Sequence, residues 1–254
     1  MAAHFNCRIF QGITNMCGRF TQFNNLDKFS EHFGVDVPEG MLHERYNAAP
    51  AQDLPVIIIE REQKKLELMK WGLIPSWAES PAIGTRMINA RCETLSEKPS
   101  FRTALKSRRC LVPADGFYEW RLTGKGKQPV RISLKSEEMF SFAGLWETWK
   151  SPEGKVIKSF TIITTEANTL LAPIHDRMPV ILRPEQEMEW LSDDLFLRQH
   201  VSMLRPYNPD EMIVTNASRR VNSVANDDPS LLDEFSAPPE IVIPAEPSMN
   251  SLFD

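Results

Sequence analysis

The chain contains 254 residues, of which 42% are hydrophobic and 25% are charged, a composition that is typical of a globular protein and excludes a fibrous or wholly disordered one. The net charge of -5 at pH 7 argues against nucleic-acid binding only for the chain as a whole. Residues 1–131 hold 19 Lys and Arg against 14 Asp and Glu, whereas residues 132–254 hold 10 against 20, so the basic residues are concentrated in the first half.

The first predicted element is a short helix, with apolar residues at helical spacing between a possible cap and a glycine stop: Asn25, Leu26, Phe29, Phe33 and Gly34. A β-rich middle follows. The apolar or alternating runs 54–60 and 66–71 flank a charged turn and predict a hairpin, and further strands are predicted at 110–112, 116–122, 130–134, 139–146 and 159–165. Helices are predicted at 99–106, 167–171 and 184–191.

Residues 98–131 form the most basic stretch, with nine Lys and Arg and only two acidic residues, Asp115 and Glu119. Such a stretch can face DNA phosphates. The same residues can equally be scattered over the surface, because charge alone does not place them on one face. Both interpretations stay open at this point.

The cellular setting follows from what the sequence lacks. No apolar run approaches the roughly 20 residues of a transmembrane helix, and residues 1–15 contain Arg8 and no long apolar region of a secretory signal. The four cysteines have neither C-x-x-C spacing nor the density of a disulfide scaffold. We therefore expect an intracellular protein, in the cytoplasm or nucleoid, with no membrane contact and no structural zinc site.

Six motifs occur in order: MCGRF at 16–20, RYNAAP at 45–50, WGLIPSW at 71–77, INARCET at 88–94, PADGFYEW at 113–120 and IHDRMP at 174–179. Together they resemble the SRAP family, named for "SOS response-associated peptidase", from about Met16 to about Ala225. The resemblance implies a single α+β domain, residues 16–235, with a β-rich, barrel-like core and peripheral helices. Residues 1–15 are then an N-terminal extension that is absent from or removed in the mature protein, and 236–254, which hold four prolines, are a mobile tail.

The resemblance also implies a chemistry, because members of the family cross-link covalently to abasic sites in single-stranded DNA. Their mature N-terminus is a cysteine exposed by loss of the preceding Met, which is Cys17 here. Its α-amine would capture the ring-opened sugar aldehyde as a Schiff base, and its thiol would close a thiazolidine ring. With a reference pKa near 8, roughly a tenth of an α-amine is neutral at pH 7, far more than of a lysine.

By the same resemblance, Glu119 would hold the amine and shuttle a proton, His175 would assist opening of the sugar, and Asn89 would orient the cysteine or the sugar. Taken singly, each of these residues is more often structural. The DNA-binding residues implied are Arg19, Arg91 and Arg177 for phosphates, Pro50, Trp77 and Trp120 for stacking or wedging, and Asn47 of the same motif as Pro50. No metal or other cofactor is implied, and we expect a monomer that binds single-stranded DNA containing abasic sites.

Sixteen residues precede Cys17, and an amide nitrogen inside a chain is no nucleophile. Either translation starts at Met16, which we favour, or the site cleaves its own Met16–Cys17 bond. Two other functions are open: a cysteine peptidase that uses Cys17, His175 and Asn89 in trans, and a non-covalent single-stranded DNA binder in which Cys17 is incidental.

Overall fold

The computed structural model of the chain describes residues 17–23, 26–124, 126–193 and 196–233. In chain order its strands are β1 (Phe20–Gln22), β2 (Arg45–Ala48), β3 (Asp53–Glu60), β4 (Gln63–Trp71), β5 (Asn89–Arg91), β6 (Arg109–Ala114), β7 (Gly116–Thr123), β8 (Gly126–Leu134), β9 (Phe140–Lys150), β10 (Val156–Glu166), β11 (Arg177–Pro179), β12 (Ile181–Leu182) and β13 (Met212–Asn216). The α-helices are α1 (Phe29–Phe33), α2 (Arg102–Ser107), α3 (Pro184–Leu191) and α4 (Leu197–Met203).

The strands form two sheets. One has the order β13-β8-β7-β1-β2, and its pairs are antiparallel. In the other, β10, β4, β3, β6 and β9 follow one another and β9 pairs again with β10, so five strands close into a ring. This arrangement confirms the predicted α+β class with a barrel-like core.

The ring strands bury both faces. In β3, Leu54, Val56 and Ile58 pack in one cluster with the five-stranded sheet, while Ile57 packs in a second cluster with residues of α1, α2 and α3. A strand that is buried on both sides carries a continuous apolar run. The cluster between the ring and the five-stranded sheet contains Cys17 and Phe117, and it forms the floor of the candidate site.

Most predicted elements are confirmed with shifted ends, including the 54–71 hairpin as β3 and β4. The helix predicted at 167–171 is wrong, because this segment forms turns. Asn168 accepts the backbone N–H of Leu171 at 3.0 Å and donates to the carbonyl of Tyr207 at 2.8 Å, so its side chain closes a turn in place of a helix. The predicted cap Asn25, the extension 1–15 and the tail 236–254 lie outside the described residues.

None of the helices in the described ranges has the length and apolar character needed to cross a bilayer.

Candidate active site

Cys17 and Glu119 meet because β1 pairs with β7. Phe20 lies opposite Phe117 in the antiparallel pair, and this register carries the chain just before β1 alongside Glu119. The backbone nitrogen of Cys17 donates a hydrogen bond to Oε1 of Glu119 at 2.9 Å. Cys17 is 1% exposed and Glu119 is 2% exposed, so the contact is shielded from water.

Burial sets the electrostatics of this pair. It raises the pKa of Glu119 to about 8, with a smaller contribution in the same direction from Asp176 and opposing hydrogen bonds from the N–H groups of Cys17 and Trp120. Burial and the nearby Glu119 also raise the pKa of the Cys17 thiol well above its usual value. The carboxyl can therefore gain or lose a proton near neutral pH, whereas the thiol stays protonated.

Asn89 fixes the other side of Cys17. It begins β5, where it pairs with Ile162 of β10, and its Nδ2 donates to the carbonyl of Cys17 at 3.2 Å. The indole of Trp71 donates to the carbonyl of Ile88 at 2.9 Å, which holds the start of β5 in place. The backbone of Cys17 is thus held by hydrogen bonds at both its nitrogen and its carbonyl.

His175 lies in the segment between β10 and β11. Its Nδ1 accepts the backbone N–H of Arg177 at 3.0 Å and lies 3.0 Å from Oδ1 of Asp176. The charge of Asp176 contributes to the raised pKa of Glu119, so this segment lies near the site. In the described structure, no hydrogen bond joins His175 to Cys17 or Glu119.

The three predicted phosphate ligands differ in their partners. Arg177 is buried, donates to both carboxylate oxygens of Glu93 at 2.6 and 2.9 Å, and donates to the carbonyl of Thr164 at 2.7 Å. Arg19 is partly buried, and among the residues that the structure describes it donates only to uncharged oxygens, Oδ1 of Asn47 and the carbonyl of Val221. Arg91 is exposed. Within the described ranges neither Arg19 nor Arg91 has a carboxylate partner, so both charges remain available to an anion.

Asn47 and Trp120 contact the loop 221–227. The Asn47 Nδ2 donates to three carbonyls of this loop, at 2.8 to 3.2 Å, and Trp120 donates from Nε1 to Asn222 at 2.7 Å. Asp227 completes the anchor by accepting the backbone N–H groups of Tyr46 and Asn47. Glu93 and Asp176 stand within the motifs and Asp227 lies beyond the last one, but no pattern in the sequence indicates the contacts that these three carboxylates make. Trp77 is 58% exposed and Pro50 is partly exposed, so both are accessible to a ligand.

The basic stretch 98–131 does not form one face. Arg108 pairs with Glu147, and Arg131 pairs with Asp115. Arg109 is buried and donates to backbone carbonyls beside α2 and α3. For these three residues the structure therefore supports the scattered interpretation. Within the described ranges, no cluster of three or more His, Cys, Asp or Glu is arranged to hold a metal.

Residues 16–224 match the family described as "SOS response associated peptidase (SRAP)". The chain belongs to the SRAP family. It is 51% identical over 225 residues, 86% of this chain and 99% of the relative, to the protein named "Abasic site processing protein YoqW" of Bacillus subtilis. It is 32% identical over 241 residues, 82% of this chain and 70% of the relative, to the chicken (Gallus gallus) "Abasic site processing protein HMCES".

A solved structure supports the fold. The chain superposes on the crystal structure of a protein from Bacteroides thetaiotaomicron with a TM-score of 0.78 and 30% identity, covering 86% of this chain and 99% of that one. The SRAP fold predicted from the motifs is therefore confirmed.

Proposed function

We propose that this protein processes abasic sites in single-stranded DNA, and that it does so by forming a covalent thiazolidine cross-link through Cys17. The observation that carries the proposal is the hydrogen bond between the backbone nitrogen of Cys17 and the buried carboxyl of Glu119. The names of the relatives, abasic site processing proteins, support the substrate class. The cross-linked abasic site would then be protected during the response to DNA damage.

The chemistry requires Cys17 to be the N-terminus, so that its nitrogen is an amine. The family match begins at Met16, which supports a functional domain that starts there. We favour translation from Met16 followed by removal of that Met, and the alternative is hydrolysis of the Met16–Cys17 bond at the site itself. Residues 1–15 then take no part in capture.

The amine attacks C1′ of the ring-opened sugar and forms a carbinolamine. Loss of water gives the imine, the thiol sulfur then adds to the imine carbon, and the thiol proton moves to the nitrogen, so one water leaves for each thiazolidine formed. Glu119, whose Oε1 lies 2.9 Å from the Cys17 nitrogen, is placed to take the proton from the attacking amine and give it to the leaving hydroxyl. His175 would assist ring opening, and Asn89 would keep Cys17 oriented.

The DNA strand would be held by Arg19 and Arg91, whose charges have no carboxylate partner within the described ranges, and by the exposed ring of Trp77. Phosphate contacts position a strand without reading its sequence, and stacking on an aromatic ring tolerates any base. We therefore expect little sequence preference. Arg177 could contribute only by exchanging Glu93 for a phosphate or by acting through the contacts it already makes.

A peptidase that depends on a thiolate is less well supported. A reactive cysteine normally has a lowered pKa, whereas burial and Glu119 raise the pKa of the Cys17 thiol. An amine nucleophile does not need that thiolate in its first step.

The test is an intact mass of protein expressed from Met16 after incubation with single-stranded DNA that bears one abasic site. We expect loss of Met16 and a gain of one DNA strand minus one water. Cys17→Ser should form no stable adduct, yet should be trapped on the DNA by borohydride, which reduces the imine that its amine still forms. Cys110→Ser, which removes another buried free cysteine, is the matched control and should behave as the unsubstituted protein.

The outcomes separate the candidate functions. A free Cys17 that forms no adduct would overturn cross-linking. A peptidase would be supported if the protein cleaves peptides, if Cys17→Ala abolishes this cleavage, and if no DNA adduct forms. Retention of DNA that disappears on denaturation, equally in the protein and in Cys17→Ala, would support a non-covalent binder.

A further inference from the structure

Arg121 lies on β7, two residues beyond Glu119. Alternate residues of a strand point to the same face, so Arg121 shares a face with Glu119 and Phe117. Phe117 packs in the cluster that contains Cys17, and Glu119 contacts Cys17 itself. Arg121, which is partly exposed, therefore lies where this face passes from the buried site to the solvent, roughly 7 Å along the strand from Glu119.

The partners of the arginines single Arg121 out. In the part of the chain that the structure describes, seven arginines pair with a carboxylate, namely Arg45, Arg108, Arg109, Arg131, Arg177, Arg183 and Arg220. Of the other arginines in the described ranges, Arg19 and Arg121 are partly buried and the rest are exposed. These two flank the site, since Arg19 follows Cys17 by two residues and Arg121 follows Glu119 by two.

A guanidinium that is partly withdrawn from water and has no counter-ion carries a desolvation cost. Burial lowers the pKa of both Arg19 and Arg121, which is the same cost expressed as a weaker hold on the proton. A bound anion would offset it, and a phosphate matches the planar donors of arginine. The neighbouring Lys127, which acts to lower the pKa of Glu119, adds a second positive charge on this side of the site.

We propose that Arg121 binds a backbone phosphate of the captured DNA strand and so holds the abasic sugar beside Glu119. The proposal rests on the proposed function, because it takes the ligand of the site to be single-stranded DNA. Arg121 would be a phosphate ligand on β7. It follows Glu119 along this strand, whereas the residues after Cys17 run beside the part of β7 that precedes Glu119. The side chain of Arg19 contacts Asn47 and Val221, and so lies on the other face of the β1–β7 pair.

The test measures binding separately from capture. Single-stranded DNA with one tetrahydrofuran abasic analogue has no aldehyde and cannot be cross-linked, so its dissociation constant reports contacts alone. Affinity for single strands falls with salt by a slope of about 0.7 per phosphate contact. We expect Arg121→Gln to reduce the magnitude of the logarithmic salt slope by about 0.7 and Arg121→Lys to preserve it.

Arg102→Gln is the matched control. Arg102 is an exposed arginine without a carboxylate partner in the described ranges, but it lies on α2, whose residues pack in the cluster on the other face of the ring. It should leave the salt slope unchanged. Thermal unfolding of each variant checks that the fold is intact.

An unchanged slope in Arg121→Gln, with DNA still bound by the unsubstituted protein, would overturn the proposal and leave the proposed function standing. Equal losses of slope in Arg121→Gln and Arg102→Gln would also overturn it, since the effect would be one of general charge. Failure of the unsubstituted protein to bind the analogue or to capture an abasic site would instead overturn the proposed function.

Discussion

The protonation of Glu119 should depend on whether Cys17 is an amide or a free amine. In the chain with Cys17 inside it, burial raises the pKa of Glu119 to about 8, against about 4.3 for an unfolded glutamate. Between these values the folded state keeps a proton that the unfolded state releases, so stability falls as the pH rises through this window. From pH 5 to pH 8 the loss attributable to Glu119 is about 3 to 4 kcal/mol.

When Cys17 becomes the N-terminus, the group that contacts Glu119 changes from a neutral amide to a positively charged amine. The nitrogen that donates to Glu119 at 2.9 Å becomes an ammonium, and two unit charges about 4 Å apart attract by about 4 kcal/mol at an effective dielectric constant near 20. This corresponds to roughly 3 pKa units, which offsets most of the rise caused by burial. The same carboxylate is then ionised near neutral pH, and the loss of stability from pH 5 to pH 8 should shrink to about 1 kcal/mol or less.

Urea unfolding of the 254-residue chain and of the chain that begins at Cys17 measures this difference, each beside its Glu119→Gln variant. The glutamine keeps an oxygen for the Cys17 nitrogen but does not titrate, so subtracting its pH profile isolates Glu119. The reasoning fails if the two chains lose stability equally between pH 5 and pH 8, or if Glu119→Gln leaves the profile of the longer chain unaltered.

Three further substitutions have expected outcomes. Trp77→Ala should change unfolding by less than about 0.5 kcal/mol, because the ring is 58% exposed, yet weaken single-stranded DNA binding by about 1 to 3 kcal/mol in a titration; equal binding would exclude stacking. Asn47→Ala should cost about 2 to 4 kcal/mol of stability, because three carbonyls lose their donor, and should speed proteolysis within 221–227; an unaltered cleavage rate would exclude the anchor. Gly72→Ala should lower the melting temperature sharply, since Gly72 has φ of 124° and an added Cβ would lie 2.6 Å from the carbonyl oxygen of Gly84; a melting temperature equal to that of the unsubstituted protein would contradict the close approach.

The long strands of the ring could be predicted because their signal is local. The hairpin at 54–71 has apolar or alternating runs of seven and six residues around a charged turn, and β3 and β4 occupy it. β1, β2, β5 and β11 are only three or four residues long, and partners distant in the sequence define them, as Phe117 does for Phe20. The segment 167–171 has helical spacing, but the side chain of Asn168 bonds the backbone in a turn, an alternative that periodicity does not reveal.

The candidate site, too, could be predicted from the sequence only in part. The motifs predicted Cys17, Asn89 and Glu119 as residues of one site, and hydrogen bonds join the three, although their separate catalytic roles stay predictions. The motifs could not predict which arginines are free, because that depends on carboxylates brought near by folding. Arg177 stands in a motif but is bound by Glu93, while Arg121, with no carboxylate partner in the described ranges, lies beside the same site. The electrostatic field around the candidate site is therefore set as much by acidic residues such as Glu93, Asp115 and Asp227 as by the basic ones with which they pair, and a substitution of Glu93 would alter this field without touching an arginine.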